Sequence, residues 1–153
     1  MTAAAQSLKS TWESIFRRKG GDGVYTRLFD SLEPGQRSTL LSALELREAE
    51  LPVIGSIRGP NSWLLLTTER LTWAIAGRRH ELAAEIIHDT TADLKGLQDS
   101  GKSKLEMRTL QVITLAGEEY TIDLEPGQPL SGTWNVLKNL GARNRRLAEG
   151  TTT

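Results

Sequence analysis

The chain has 153 residues, 38% hydrophobic and 25% charged, which is enough for one globular domain with a core and too few for two ordinary ones. Lysine plus arginine equals aspartate plus glutamate at 19 each, so there is no positive surplus to neutralise phosphates and we expect no nucleic-acid binding. The absence of cysteine excludes disulfides, thiol nucleophiles and cysteine-ligated metals.

Residues 1–46 are predicted to form a helical N-terminal extension. The segment LKSTWESIF carries its apolar residues at helical spacing, which predicts a short amphipathic helix. After the glycine-rich break RRKGGDG, an apolar stripe over residues 24–32 indicates a second helix, with Asp22 as its cap. Pro34 is well placed in the first turn of a third helix.

From Leu51 onward the apolar residues alternate as in β-strands, and turn-forming residues separate the runs. A meander of short antiparallel strands must hide its edges, and a small barrel or sandwich capped by a helix does so. The predicted strands are seven, in the sequences LPVIGSI, SWLLLTTERLTWAIAG (two strands), GRRHELAA, TADLKGLQ, KLEMRTLQVITL and EEYTIDL.

A closing helix is predicted after the strands. Apolar residues between positions 130 and 140, among them Trp134, are spaced for one buried face, and Gly141 is expected to end the helix. Residues 145–153 are polar and are predicted to be a disordered tail.

The hairpin carries a T-x-x-R-L pattern at Thr67, Arg70 and Leu71, followed by GRRHEL, the strand EEYTI and a closing helix with a tryptophan. Over about residues 51–143 this resembles the bacterial pleckstrin-homology-like (PH-like) domains. The resemblance implies an α+β, mainly β fold, a seven-stranded antiparallel barrel or sandwich capped by a C-terminal helix. It assigns residues 47–144 to the PH-like domain.

The sequence GLQDSGKS at residues 96–103 fits the P-loop pattern G-x-x-x-x-G-K-[ST]. A P-loop needs a buried parallel strand before it, a helix after it and further parallel strands. The preceding HDTTADLK is too polar for such a strand, and the remaining chain is too short for the rest of that sheet. We therefore predict a loop, with no bound nucleotide and no cofactor.

No catalytic or metal-binding pattern is found. The two histidines, His80 and His88, have no recognised metal-ligand spacing, and no G-x-S-x-G sequence occurs. Neither an enzyme nor a metal site is predicted. Trp63, Trp73 and Trp134 are expected in the core, whereas Trp12 fits equally well as a core residue or as a half-exposed partner contact.

The sequence predicts a non-catalytic protein-interaction module. It is expected in the bacterial cytoplasm, since no signal peptide or membrane-spanning run is evident. One specific version is an immunity or antitoxin-like protein that binds a partner enzyme. The alternative is a membrane-surface adaptor that binds anionic lipid weakly through its arginine clusters. The binding is expected to be weak because lipid-binding PH-like domains concentrate cations near the first strand–strand loop, and here only Arg58 lies there. The candidate contact residues are Trp12, Arg17, Arg18, Arg58, Arg78, Arg79 and His80.

Overall fold

The computed structural model describes residues 3–92 and 107–150. They form an α+β fold with a helix at each end and antiparallel strands between them. The elements in chain order are α1 (Ala3–Lys19), β1 (Thr26–Leu28), α2 (Pro34–Ala43), β2 (Pro52–Gly59), β3 (Ser62–Thr67), β4 (Arg70–Ile75), β5 (Arg78–Ala83), β6 (Ile87–Thr91), β7 (Thr109–Thr114), β8 (Glu119–Asp123) and α3 (Gln128–Gly150).

The eight strands divide between two antiparallel sheets. The larger sheet has the order β1-β2-β3-β4-β5 and the smaller has β6-β7-β8. No pairing joins the two sheets within the described residues, so the strands there do not close into a barrel. The prediction of a mainly antiparallel fold with a closing helix is confirmed. Of the predicted seven-stranded barrel or sandwich, the closed barrel is not found among the described residues, which form eight strands in two sheets.

The strand that the sequence did not predict is β1, which lies where a second helix was expected. The Glu125 carboxylate accepts hydrogen bonds from the backbone N–H groups of Val24, Tyr25 and Thr26 at 2.8, 2.6 and 3.0 Å. Asp22 accepts from the Leu28 N–H at 2.8 Å and caps no helix. These bonds satisfy the backbone of the segment in an extended form, so tertiary contacts override its helical spacing.

Strand β6 also differs from expectation. The sequence indicated a strand in TADLKGLQ, but β6 begins earlier, at Ile87, and the predicted strand lies outside the described residues from position 93 on. The polar β6 sequence IHDTT is covered by α3: Lys138 donates to Asp89 at 2.9 Å, and the Asn144 side-chain amide donates to the Ile87 carbonyl at 2.7 Å. Because Asp89 and the Ile87 carbonyl have partners on α3, the strand is held there without a continuous apolar run.

The main hydrophobic core joins the N-terminal helix to both sheets and to α3. Trp12 and Phe16 of α1 have no exposed surface and belong to the same buried cluster as Trp73 of β4 and Leu137 of α3. A smaller cluster packs α2 against the opposite face of the larger sheet, where Trp63 is buried. Trp134 is only partly buried. The main core therefore crosses the boundary predicted after residue 46.

Helix α3 runs past Gly141, which the sequence had marked as its end, and continues to Gly150. Gly141 lies against β6 instead: a Cβ atom built there would lie 2.5 Å from the His88 carbonyl oxygen. This residue is thus a glycine because the helix and strand backbones approach each other closely. Residues 145–150 of the predicted disordered tail are helical.

We predict that Gly141→Ala destabilises the protein by about 1–3 kcal/mol, because the added methyl group forces the helix away from β6. Gly35→Ala is the matched control, since Gly35 lies in α2 with nothing within 4 Å of its built Cβ. Alanine at this first-turn position should leave the stability unchanged or raise it by up to about 1 kcal/mol. Urea unfolding measures both variants, and equal stability of the two would contradict the close packing of α3 on β6.

Candidate functional site

The residues of the T-x-x-R-L pattern form a buried polar cluster. Arg70 donates from Nε to Glu50 Oε2 at 2.8 Å and from NH2 to Glu50 Oε1 at 3.0 Å. Its NH1 donates to Glu81 at 2.9 Å. The Thr67 hydroxyl donates to Glu50 at 2.5 Å and accepts the Arg70 N–H at 3.0 Å. Because Arg70 and Glu50 are 7% and 3% exposed and mutually satisfied, this cluster fixes the β3–β4 hairpin and offers nothing to a ligand.

Both partners of this ion pair stay charged. Burial opposes ionisation of Glu50, but the hydrogen bonds from Arg70, Thr67 and the Arg47 N–H outweigh it and hold the pKa of Glu50 below its ordinary value. The hydrogen bond to Glu50 raises the pKa of Arg70 against the effect of burial. A carboxylate with a lowered folded-state pKa stabilises the fold fully above its unfolded pKa, and this stabilisation is lost as the pH falls through the folded value.

We predict that Glu50→Gln destabilises the protein by no more than about 3–5 kcal/mol at pH 7, because it removes the buried carboxylate that faces Arg70 and leaves only the more exposed Glu81 to compensate that charge. The difference from the wild type should begin to shrink as the pH falls below about 4.3, the ordinary glutamate pKa, because Glu50 of the unfolded wild type then takes up a proton, and it should be smallest once the pH lies below the lowered pKa of Glu50 in the folded protein. Guanidinium unfolding between neutral and acid pH measures this. The control is Glu48→Gln in the same loop, where the side chain is exposed. A pH-independent difference would contradict the account.

Two of the predicted contact residues are not available as expected. Trp12 is completely buried in the main core, so it does not present its ring to a partner. Arg58 donates to Asp123 at 2.6 Å, and its guanidinium carbon lies 5.7 Å from the centre of the Tyr25 ring. Its charge is therefore compensated, which leaves the β2–β3 loop without a free arginine for an anionic headgroup.

Arg78, Arg79 and His80 lie together at the start of β5, and all three are exposed. The His80 ring stacks on Trp73 with 5.3 Å between centres, and Arg79 donates to the Ala43 carbonyl at 2.9 Å. Arg17 and Arg18 lie elsewhere, exposed in the last turn of α1. The predicted residues thus fall on two surfaces, the β5 edge and the end of α1.

A groove opens where the end of α1 meets the first turn of α3, and we call it the α1–α3 groove. A Cβ at Gly20 would lie 2.2 Å from the Gln128 carbonyl oxygen, and the Ser131 hydroxyl donates to the Lys19 carbonyl at 2.7 Å. These contacts hold the two helices together at one wall of the groove. Its volume is about 560 Å³, and it is lined by Arg18, Lys19, Gly20, Met107, Gly127, Gln128, Leu130, Ser131 and Trp134.

The groove combines an apolar wall with a cationic rim. Trp134 donates its indole N–H to the Thr90 carbonyl at 2.9 Å, so it presents ring surface rather than a free donor. Met107 and Leu130 add buried apolar surface, while the exposed Arg18 and Lys19 stand at the rim. The sequence indicated only Arg18 of this set, because residues so far apart in the chain meet only after α1 and α3 have packed.

No protein-family model matches the chain, and no curated protein or solved structure shows significant similarity to it. In residues 3–92 and 107–150, no helix is long and apolar enough to cross a bilayer. The same residues contain no group of three histidine, aspartate or glutamate side chains placed to hold a metal ion. GLQDSGKS lies outside the described residues, so the absence of a nucleotide site there stays a prediction.

Proposed function

We propose that the protein is a non-catalytic protein-binding module, that residues 47–144 form a PH-like domain whose core α1 completes, and that the α1–α3 groove binds an acidic segment of a partner protein. The observation that carries the binding proposal is that Arg18 and Lys19 line the same groove as Trp134. The strand order supports the PH-like assignment: seven strands, β2 to β8, are followed by the helix α3, as the resemblance implies.

The groove has the size and composition of a side-chain binding site. Its volume of about 560 Å³ lies within the roughly 300–1,000 Å³ common for ligand pockets. Aromatic and arginine side chains contribute most of the binding energy at protein interfaces. An apolar side chain of the partner would contact Trp134 and Met107, and carboxylates on either side of it would face Arg18 and Lys19.

The two parts of the groove would contribute differently to binding. Exposed ion pairs are each worth only about 0.2–1 kcal/mol, so the apolar anchor supplies most of the affinity. The cations orient an acidic segment and speed its association. For the alternative, lipid binding, the arrangement is less suitable: Arg58 is paired with Asp123, and the other candidate arginines are divided between the end of α1 and the start of β5.

The test is selection from a library of displayed ten-residue random peptides on the full-length protein, followed by affinity measurement of the enriched peptides. We expect peptides that combine an aromatic or aliphatic residue with aspartate and glutamate. Reversing both rim charges with Arg18→Glu and Lys19→Glu should weaken their binding about tenfold, because two favourable pairs become repulsive.

The matched control reverses two exposed arginines that do not line the groove, Arg17→Glu with Arg146→Glu, which changes the net charge equally. Equal loss of binding in both double variants would show a general charge effect and contradict the groove as the site. Failure to enrich peptides, together with salt-sensitive sedimentation on anionic liposomes, would favour the membrane-adaptor alternative instead.

A further inference from the structure

Among residues 3–92 and 107–150, no strand lies beside the outer edge of β5. Strand β5 is the last in the order β1-β2-β3-β4-β5, so in the described part of the chain it has a strand neighbour on one side only. Its residues 78–81 are exposed, whereas the β4 residues 72–74, which pair with residues 79–81, are buried. An open edge of this kind presents a row of backbone donors and acceptors.

The hairpin register identifies which backbone groups face outward. Ala76 and Gly77, with φ of 51° and 81°, form a two-residue turn, and Ile75 pairs with Arg78 across it. Hydrogen-bonded and non-hydrogen-bonded pairs alternate along an antiparallel ladder that starts from this bonded pair. Arg79 and Glu81 therefore form no backbone hydrogen bonds with β4, and their backbone N–H and C=O groups point outward from the edge of the sheet.

The side chains of Arg79 and Glu81 lie on one face of the sheet, two residues apart and opposite in charge. An added antiparallel strand from a second copy would bond through the same two residues. Aligning Arg79 with Arg79 or Glu81 with Glu81 of the other copy sets like charges opposite each other, which is unfavourable. Alignment about a two-fold axis through His80 sets Arg79 of each copy opposite Glu81 of the other.

We propose that this protein forms a symmetric dimer by antiparallel pairing of the β5 edges of two copies, with Arg79 of each chain opposite Glu81 of its partner. The pairing is isologous, as closed two-fold dimers require, and joins the two larger sheets into one. Edge charges commonly prevent such association. Here the alternating signs select a single register. The proposal is independent of the α1–α3 groove, since none of its residues lines that groove.

The test is sedimentation velocity of the full chain from about 1 μM to about 1 mM, the range in which weak association is seen. We expect the wild type to dimerise within this range. Arg79→Glu and Glu81→Arg should each raise the dimer dissociation constant about tenfold or more, because each makes the facing pairs alike in charge. A mixture of the two variants in equal amounts should dimerise again, since the two acidic side chains of one variant then face the two basic side chains of the other.

A wild type that stays monomeric throughout the range would overturn the proposal, as would dimers that persist in both single variants. Single variants that dissociate but do not associate when mixed would exclude this register and overturn it as well. Glu81 also accepts a hydrogen bond from Arg70, so thermal unfolding must show that Glu81→Arg is folded.

A second pair of variants tests the backbone contact without touching Glu81. Arg79→Pro removes the outward-facing N–H, which an edge strand tolerates, whereas Arg79→Ala removes only the side chain. We expect the proline variant to dimerise at least about tenfold more weakly than the alanine variant, because a bonded edge pair is lost. Equal dissociation constants would contradict strand pairing at β5.

Discussion

The packing of α1 against α3 is the contact on which the rest of the structure depends. Trp12 and Phe16 reach the core only because the two helices approach closely. That approach requires glycine on both sides: a Cβ at Gly132 would lie 2.7 Å from the Phe16 ring, and one at Gly20 would meet the backbone of α3. The same contact brings the cationic end of α1 to Trp134 and so forms the groove. The contact between α1 and α3 therefore both completes the hydrophobic core and forms the candidate binding groove.

Three carboxylates with lowered pKa values fix segments that the hydrophobic core alone would not position. Glu50 joins the loop after α2 to the β3–β4 hairpin, and Asp89 joins β6 to α3. Glu125 holds the backbone of β1 against the start of α3. In each case burial opposes the charge and several hydrogen bonds outweigh it. These side chains define where the chain enters and leaves each sheet, which apolar contacts specify less sharply because they are not directional.

The elements that the sequence predicted well are those whose residues carry their own signal. Strands β3 and β4 alternate clearly, and the buried face of α3 is visible in its helical spacing. The two strands that the sequence did not predict lack such a signal: β1 depends on Glu125, about a hundred residues away, and the polar β6 depends on Lys138 and Asn144. The α1–α3 groove could not be predicted for the same reason. The sequence does not reveal the role of Gly141, because a glycine that ends a helix and a glycine that allows a neighbouring strand to approach occur in the same kind of sequence.

The most direct test of this account is the unfolding of a chain that begins at Leu46 and so lacks α1, β1 and α2. Losing a buried aromatic residue typically costs about 3–5 kcal/mol, and this deletion removes both Trp12 and Phe16 from a fold whose total stability is of the order of 5–15 kcal/mol. Circular dichroism during heating should show no cooperative transition. A β-rich spectrum with a cooperative transition would contradict the account and would instead support residues 47–144 as a separable domain.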